Sequence, residues 1–289
     1  MLQIPNEEIN RLANANYSND FIDMLRKWYD PEIHKNRDTN RLIIENIRPD
    51  NVHGVMYNYI MKHINVEGRS VLEVGCGSGQ NVEAWHRAGA GKITTLDIDE
   101  FPVVLTKQRC VDLGIDNVDV MQSDFLEQEF DEKFDIINCV QVIEHVGREN
   151  QVPALAKLMS LAKKGGIVFI QLPNKSCIID AHDSGLPFAH WLPRRIGVSY
   201  AKLFGRTPPM WDPMPYGKVR KVLEANGGEI LNNIDLCSSL GEFIDYRVNK
   251  RRSLKNIIFA GIVTCLYPVL RGNTNAILPN INVIVRKLI

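Results

Sequence analysis

The stretch Val71-Leu72-Glu73-Val74-Gly75-Cys76-Gly77-Ser78-Gly79 passes from an apolar run into three glycines at alternate positions. A turn without side chains, feeding a helix, lets a ligand lie against the backbone. Glycine allows unusual φ and close approach, and the unpaired N–H groups of a helix start favour a carboxylate or a phosphate. Dinucleotide enzymes use G-x-G-x-x-G, whose third glycine lets helix and strand pack. Gly75 and Gly77 fit that spacing, but Gln80 occupies the third place, so the turn reads G-x-G-x-G. Two acids follow at the ends of later apolar runs: Asp97 closes KITTLD and Asp124 stands in MQSDF. Taken singly each reads as a helix cap. Taken with the turn they read as ligand acceptors, because a carboxylate can serve two donors. Asp99 is then the better cap for the helix that starts near Pro102. Three histidines could move a proton near neutral pH: His145 in VIEHV, and His182 and His190 in HDSGLPFAHW.

These residues need a frame. From Ser70 onward strand patterns alternate with helical ones. Strands are expected over Val71–Val74, Lys92–Ile98, Val118–Gln122, Phe134–Val140 and Ile167–Leu172. Helices are expected over Asn81–Ala88, closed by Gly89, from Pro102 to just before Gly114, and over about Gln151–Lys163, stopped by Gly165-Gly166. Strands separated by helices imply parallel pairing with right-handed crossovers. The near-continuous apolar character of FDIINCV and GIVFIQL fits strands buried on both faces. Further on come a helix over Lys218–Ala225, a strand-like EILNNIDL, a helical stretch over 240–272 and a last strand over Asn282–Leu288. The expected fold is a Rossmann-like, doubly wound α/β fold. Its sheet is seven-stranded and mostly parallel, with helices on both faces.

Residues 1–65 carry helical stripes (Phe21, Ile22, Met24, Leu25, Trp28; then Val55, Met56, Tyr59, Ile60, Ile64) and read as a helical cap ahead of a main domain over 66–289. An insertion over about 174–217, dense in proline, glycine and aromatics, follows strand five, and long irregular connections tend to be functional. Both VIEHV and this insertion leave the carboxyl ends of their strands, where open α/β sheets bind ligands.

Composition bounds the rest. Thirty-four basic and 34 acidic residues cancel, so no global field draws the chain to nucleic acid. Six cysteines without a CxxC pair read as reduced thiols. The His-Asp…His arrangement at 182–190 has no wider cluster around it, so no metal is expected. The first residues lack the basic start and apolar core of a signal peptide. The apolar run Ile257–Leu270 is shorter than the ~20 residues a span needs. The expectation is a cytoplasmic protein. In NKRRSLKNIIFAGIVTCLYPVL four basic residues (Lys250, Arg251, Arg252, Lys255) join that apolar run. A membrane-surface segment is one reading; a core helix preceded by a solvated turn is the preferred one.

VLEVGCGSG, with an acid ending the next strand and LAKKGGIVFI further on, resembles the class I S-adenosylmethionine-dependent methyltransferases. The likeness is nearest to the branch with an EHV segment after strand four, which includes ubiquinone-biosynthesis-type O-methyltransferases. It covers roughly residues 65 to 175. It implies S-adenosylmethionine as cofactor and S-adenosylhomocysteine as product. Glu73 and the turn residues Gly75, Cys76, Gly77 and Gly79 would line the methionine end, with Glu73 favouring the ammonium. Asp97 would take both ribose hydroxyls, Ile98 would pack on adenine, and Asp124 would accept from the adenine amino group with Phe125 beside the ring. Asn138 to Gln141, with Cys139 among them, would pass beneath the sulfonium. In this branch the Glu-His after strand four often anchors a loop, so His145 is either base or scaffold. Phe188, Trp191, Trp211 and Tyr216 would suit a flat or lipophilic acceptor, or else fasten a lid. The resulting expectation is methyl transfer to a small molecule, first of all to a hydroxyl oxygen. The alternatives are a protein or RNA methyltransferase, disfavoured by NCVQV where nucleic-acid enzymes of the superfamily carry Asn/Asp-Pro-Pro-aromatic, and a non-catalytic S-adenosylmethionine-binding partner protein.

Overall fold

A computed structural model describes residues 16–32, 38–47, 60–180, 183–209, 211–232, 234–237, 239–245, 248, 254–270 and 274–289. Seven strands form one sheet in the order β3-β2-β1-β4-β5-β7-β6. The chain divides into two units, Met1–Ile136 and Ile137–Ile289, taken in turn.

In the first unit, helix α1 (Asn19–Trp28) starts at Ser18, whose hydroxyl accepts from Phe21 N at 3.2 Å. Its stripe Phe21, Ile22 and Leu25 is buried against Ile43, Ile44 and Ile47 of α2 (Thr39–Ile47) and against Leu105. The Val55–Tyr59 part of the second expected stripe lies outside the described residues. Strands β1 (Ser70–Val74), β2 (Lys92–Asp97) and β3 (Val118–Gln122) run parallel, with Val71 opposite Ile93 and Ile93 opposite Val118. Helices α3 (Gln80–Arg87) and α4 (Glu100–Leu113) are the crossovers, and α4 ends at Gly114 with φ 63°. Asp99 stands at the N-cap of α4 with extended backbone, yet its side chain caps no N–H, so the expectation of an Asp99 cap is corrected. Its own N–H is instead held by the Asp97 carboxylate at 3.2 Å.

Strand β4 (Phe134–Val140) leads into the second unit, where α5 (Gln151–Leu161) is followed at once by β5 (Ala162–Pro173). The helix therefore stops before Lys163, ahead of the two glycines expected to end it. The exposed Lys163, Lys164 and Gly165 already belong to the strand. Strand β7 (Asn280–Lys287) lies antiparallel to β5, with Phe169 opposite Ile284, and to β6 (Gly228–Ile230), with Glu229 opposite Arg286. The expected strand EILNNIDL is thus cut to its first residues. The cause is Asn232, whose side chain takes over the pairing: Oδ1 accepts from Ile284 N at 2.8 Å and Nδ2 donates to Asn282 O at 2.7 Å.

The insertion is ordered by short pieces: a 3-10 turn Ala189–Trp191, helix α6 (Arg194–Leu203), and α7 (Tyr216–Ala225) beyond it. Asn174 ties its start to the 274–279 region by donating to Asn275 O at 2.9 Å and Leu278 O at 2.8 Å. The helical stretch 240–272 resolves into α8 (Leu240–Ile244) and α9 (Leu254–Leu270). The core-helix reading of Ile257–Leu270 is corrected. Ala260 and Val263 are buried, but Ile257, Ile258, Ile262, Leu266 and Val269 are exposed, because only one side of the helix meets the rest of the unit. Among the described residues no helix is long and apolar enough to cross a membrane.

Candidate active site

Gly75, Gly77 and Gly79 all have positive φ, 82°, 51° and 74°, the left-handed region that side chains resist. Their surroundings differ. A methyl group on Gly79 would sit 3.1 Å from Thr106 Cα and 3.2 Å from Arg109 Cδ, so this glycine lets α3 pack closely on α4. A methyl group on Gly77 would meet nothing within 4 Å, so Gly77 offers open backbone. The turn hangs from the end of β2: Gly75 N and Cys76 N both donate to Leu96 O, at 2.9 and 3.2 Å.

Asp97 is brought to the turn, its Oδ2 accepting from Gly77 N at 3.3 Å. Burial lifts its carboxyl above the ordinary carboxylate range, opposed by the N–H groups of Asp99 and Gly77. Ile98, next in sequence, is 63% exposed. Glu73 is wholly buried on β1. Its two oxygens accept from Asn81 Nδ2 at 2.7 Å and Trp85 Nε1 at 2.8 Å, which fixes α3 to the strand below the turn. The Cys76 thiol is pushed up to about 12 by burial and stays protonated at neutral pH. Asp124 accepts from Leu126 N at 2.8 Å and so closes the turn after β3, with Phe125 buried beside it. Cys139 is buried within β4 of the second unit, and Gln141 just past that strand holds φ 56°, uncommon for a residue with a side chain.

A polar hub beneath the glycine turn had not been singled out from the sequence. Arg109 of α4 is wholly buried. It donates to Ser78 O at 2.8 Å, to Glu83 Oε2 at 2.5 Å, to the Tyr17 hydroxyl at 3.0 Å and to Asn46 O at 3.3 Å. Asn46 donates in turn to Ser78 Oγ at 2.7 Å, and Gln80 Nε2 to Glu45 O at 2.9 Å. Helix α2 is thereby fastened to the turn through polar contacts. Burial raises the Tyr17 phenol above its usual range. One signal was available: Arg109 shares the buried face of α4 with Pro102, Leu105 and Thr106, a register where an arginine needs partners.

In the second unit His145 stands edge-on to Trp211, with ring centroids 4.0 Å apart, and its Nε2 lies 4.0 Å from Glu144 Oε1, beyond hydrogen-bond reach. Glu144 O accepts from Asp212 N at 3.4 Å, so the Glu-His segment borders the insertion. His190 has a nearly buried side chain. Its Nε2 donates to Lys175 O at 3.1 Å. Its Nδ1 has no hydrogen-bond partner and lies 3.8 Å from Asp180 Oδ1. His190 lines a cavity of about 550 Å³ together with Arg148, Lys175, Trp191, Arg194 and Asp212, and Arg148 is paired with Asp212 at 2.6 Å. His182 lies outside the described residues. Among the described residues no group of three His, Cys, Asp or Glu is gathered as for a metal.

Residues 71–166 match a family model described as a methyltransferase domain. The chain is 29% identical over 158 residues to a ubiquinone biosynthesis O-methyltransferase of Pseudomonas fluorescens, covering 54% of this chain and 62% of that protein. It is 28% identical over 167 residues to the enzyme of that name from Pasteurella multocida, covering 54% and 63%. The match thus spans less than two thirds of these curated relatives. Among solved structures, PKMT2 from Rickettsia typhi in complex with AdoHcy aligns over 81% of this chain and 53% of its own, with TM-score 0.54 and 17% identity. An S-adenosylmethionine-dependent methyltransferase from Mesorhizobium loti aligns over 81% and 97%, with TM-score 0.51 and 14% identity. The sheet order, the glycine turn on β1 and the match over residues 71–166 agree: the chain carries a methyltransferase domain on a Rossmann-like fold.

Proposed function

We propose that this protein transfers a methyl group from S-adenosylmethionine to a small-molecule acceptor, at a hydroxyl oxygen. The observation that carries the reading is the open backbone at Gly77, whose N–H already lies against the Asp97 carboxylate. That pair suits a ligand with a polar backbone-binding end and a diol, and the chain can hold one without displacing a side chain. In this reading Gly75, Cys76, Gly77 and Gly79 border the methionine part, and Glu73 supports them from behind through Asn81 and Trp85. Asp97 receives the ribose hydroxyls, Ile98 covers one side of the adenine, and Asp124 and Phe125 meet its amino edge. Cys139 within β4 and Gln141 just past that strand are assigned to the sulfonium side of the cofactor by the resemblance alone.

When bound, the cofactor supplies a methyl group activated by its sulfonium, so the chain's task is to position an acceptor and remove its proton. His190 is the favoured base, since its ring borders the cavity and its Nδ1 has no hydrogen-bond partner in the protein. His145 is assigned to holding the insertion, and His182 remains the second candidate for the base. The cavity beside His190 would take the acceptor, with Trp191 as its flat wall. The wild-type chain should bind S-adenosylhomocysteine by calorimetry and Asp97→Ala should not; equal affinity would overturn the ribose assignment. Incubation with labelled S-adenosylmethionine and extract metabolites should give a methylated small molecule by mass spectrometry. Label found on protein or RNA alone would overturn the acceptor class.

A further inference from the structure

Helix α9 has two apolar faces. At 100° per residue, Ala260 and Val263 fall on one side, where both are buried and where Phe259 meets Phe243 edge-on at 6.3 Å. Ile258, Ile262, Leu266 and Val269 recur at i, i+4, i+8 and i+11 and share the opposite side. They are 55%, 52%, 41% and 82% exposed. No charged residue stands between Lys255 and Arg271. A solvated helix face carries charges, and large contiguous apolar patches on a protein surface mark interaction sites.

The sequence just ahead of the helix supplies the character of the partner. Asn249-Lys250-Arg251-Arg252-Ser253-Leu254-Lys255 holds four cations and no anion. Cations followed by an apolar stripe are the composition of a helix that lies in the boundary of an anionic bilayer. With 17 residues the helix is about 26 Å long at 1.5 Å per residue, too short to span comfortably and long enough to lie flat. Pairing with a second copy would bury the stripe but leave both basic runs without an anion. An anionic lipid surface satisfies both features at once.

We infer that α9 docks this protein on an anionic membrane surface, the stripe Ile258, Ile262, Leu266 and Val269 entering the headgroup boundary and the basic run meeting lipid phosphates. This does not depend on the identity of the methyl acceptor. The test is flotation of the full chain with vesicles of phosphatidylcholine, alone or mixed with phosphatidylglycerol. The protein should rise with the mixed vesicles and not with the neutral ones, and added salt should release it. Ile262→Glu with Leu266→Glu should cut the bound fraction at least about tenfold, and each cation removed from Lys250, Arg251 and Arg252 should lower binding about fivefold. S-adenosylhomocysteine binding by these variants reports separately on the cofactor site. The wild type gives a readout that needs no variant: Cys265, exposed on α9, should react more slowly with a water-soluble maleimide once mixed vesicles are added. Failure of the wild type to float with mixed vesicles overturns the inference, as does undiminished flotation of the double variant. If the wild type sediments as a dimer that the double variant dissolves while neither floats, a second copy covers the face and the lipid assignment falls.

Discussion

Arg109 Nε donates to the Ser78 carbonyl at 2.8 Å from a side chain that has no exposed surface. One buried cation therefore fixes the backbone of the glycine turn while the same guanidinium is shared with Glu83, Tyr17 and Asn46. A charge in this position is stable only while its partners remain. Removing Glu83 leaves the Arg109 cation buried without a carboxylate, and removing Arg109 takes the buried donor from the Ser78 and Asn46 carbonyls while Glu83 keeps Arg87 at 2.8 Å; each change costs about 3–5 kcal/mol. Arg109→Met and Glu83→Leu should each lose stability on that scale in urea unfolding. The double variant should lose clearly less than the sum, because the two residues share one contact.

Gly77 and Gly79 should separate cleanly. Both hold positive φ, so alanine strains each by about 1–2 kcal/mol. Gly79→Ala adds a crowded contact with Thr106 and Arg109, whereas Gly77→Ala meets open space. Thermal unfolding should place Gly79→Ala as the less stable variant. Calorimetry with S-adenosylhomocysteine should place Gly77→Ala as the weaker binder, by at least about tenfold.

Asp97 should carry a stability cost at neutral pH. Its folded pKa is raised by burial, so the native chain binds its proton more tightly than the unfolded chain does. Stability from this group is then present at acid pH and is lost as pH rises through the interval between the ordinary and the raised value. Asp97→Asn should melt higher than wild type at neutral pH, keep the Gly77 contact through its amide oxygen, and lose cofactor affinity. The melting difference should shrink as pH falls below the carboxylate range.

The cysteines should divide by accessibility. Cys76, Cys110, Cys139, Cys177 and Cys237 are buried, and burial pushes the thiols of Cys76 and Cys110 up to about 12 and about 11. Only Cys265 is exposed. Native protein in lipid-free buffer at neutral pH should take up a single equivalent of iodoacetamide, which peptide mass spectrometry should place on Cys265.

His190→Gln should lower kcat by about 10²–10⁴, the range of general-base losses, with S-adenosylhomocysteine affinity unchanged. His145→Gln should act mainly on the packing of Trp211 and so be milder. Equal losses for the two variants would remove the distinction drawn between them.

Much of this was legible because it is local. Val118–Gln122 and Phe134–Val140 were read to the residue, since strand patterning and the bounding turns lie within a few positions. The glycine turn and Asp97 were equally readable. The Arg109 hub was not. Its partners Tyr17 and Asn46 stand far away in the chain, and the buried face of α4 could suggest only that an arginine there needs company, not which. EILNNIDL looked like a full strand because Asn232 has no distinctive pattern when its amide substitutes for backbone pairing. Helix α9 misled for another reason: an apolar run reads the same whether protein covers one side or both.

Strand β7 has a consequence for how the second unit comes into being. It fills the place between β5 and β6, with Pro173 opposite Asn280, so each of its neighbours leaves the ribosome with a bare sheet edge. Until β7 is made, those edges can recruit the wrong strand, from this chain or another. The sheet of the second unit can therefore be completed only after its last strand has been made.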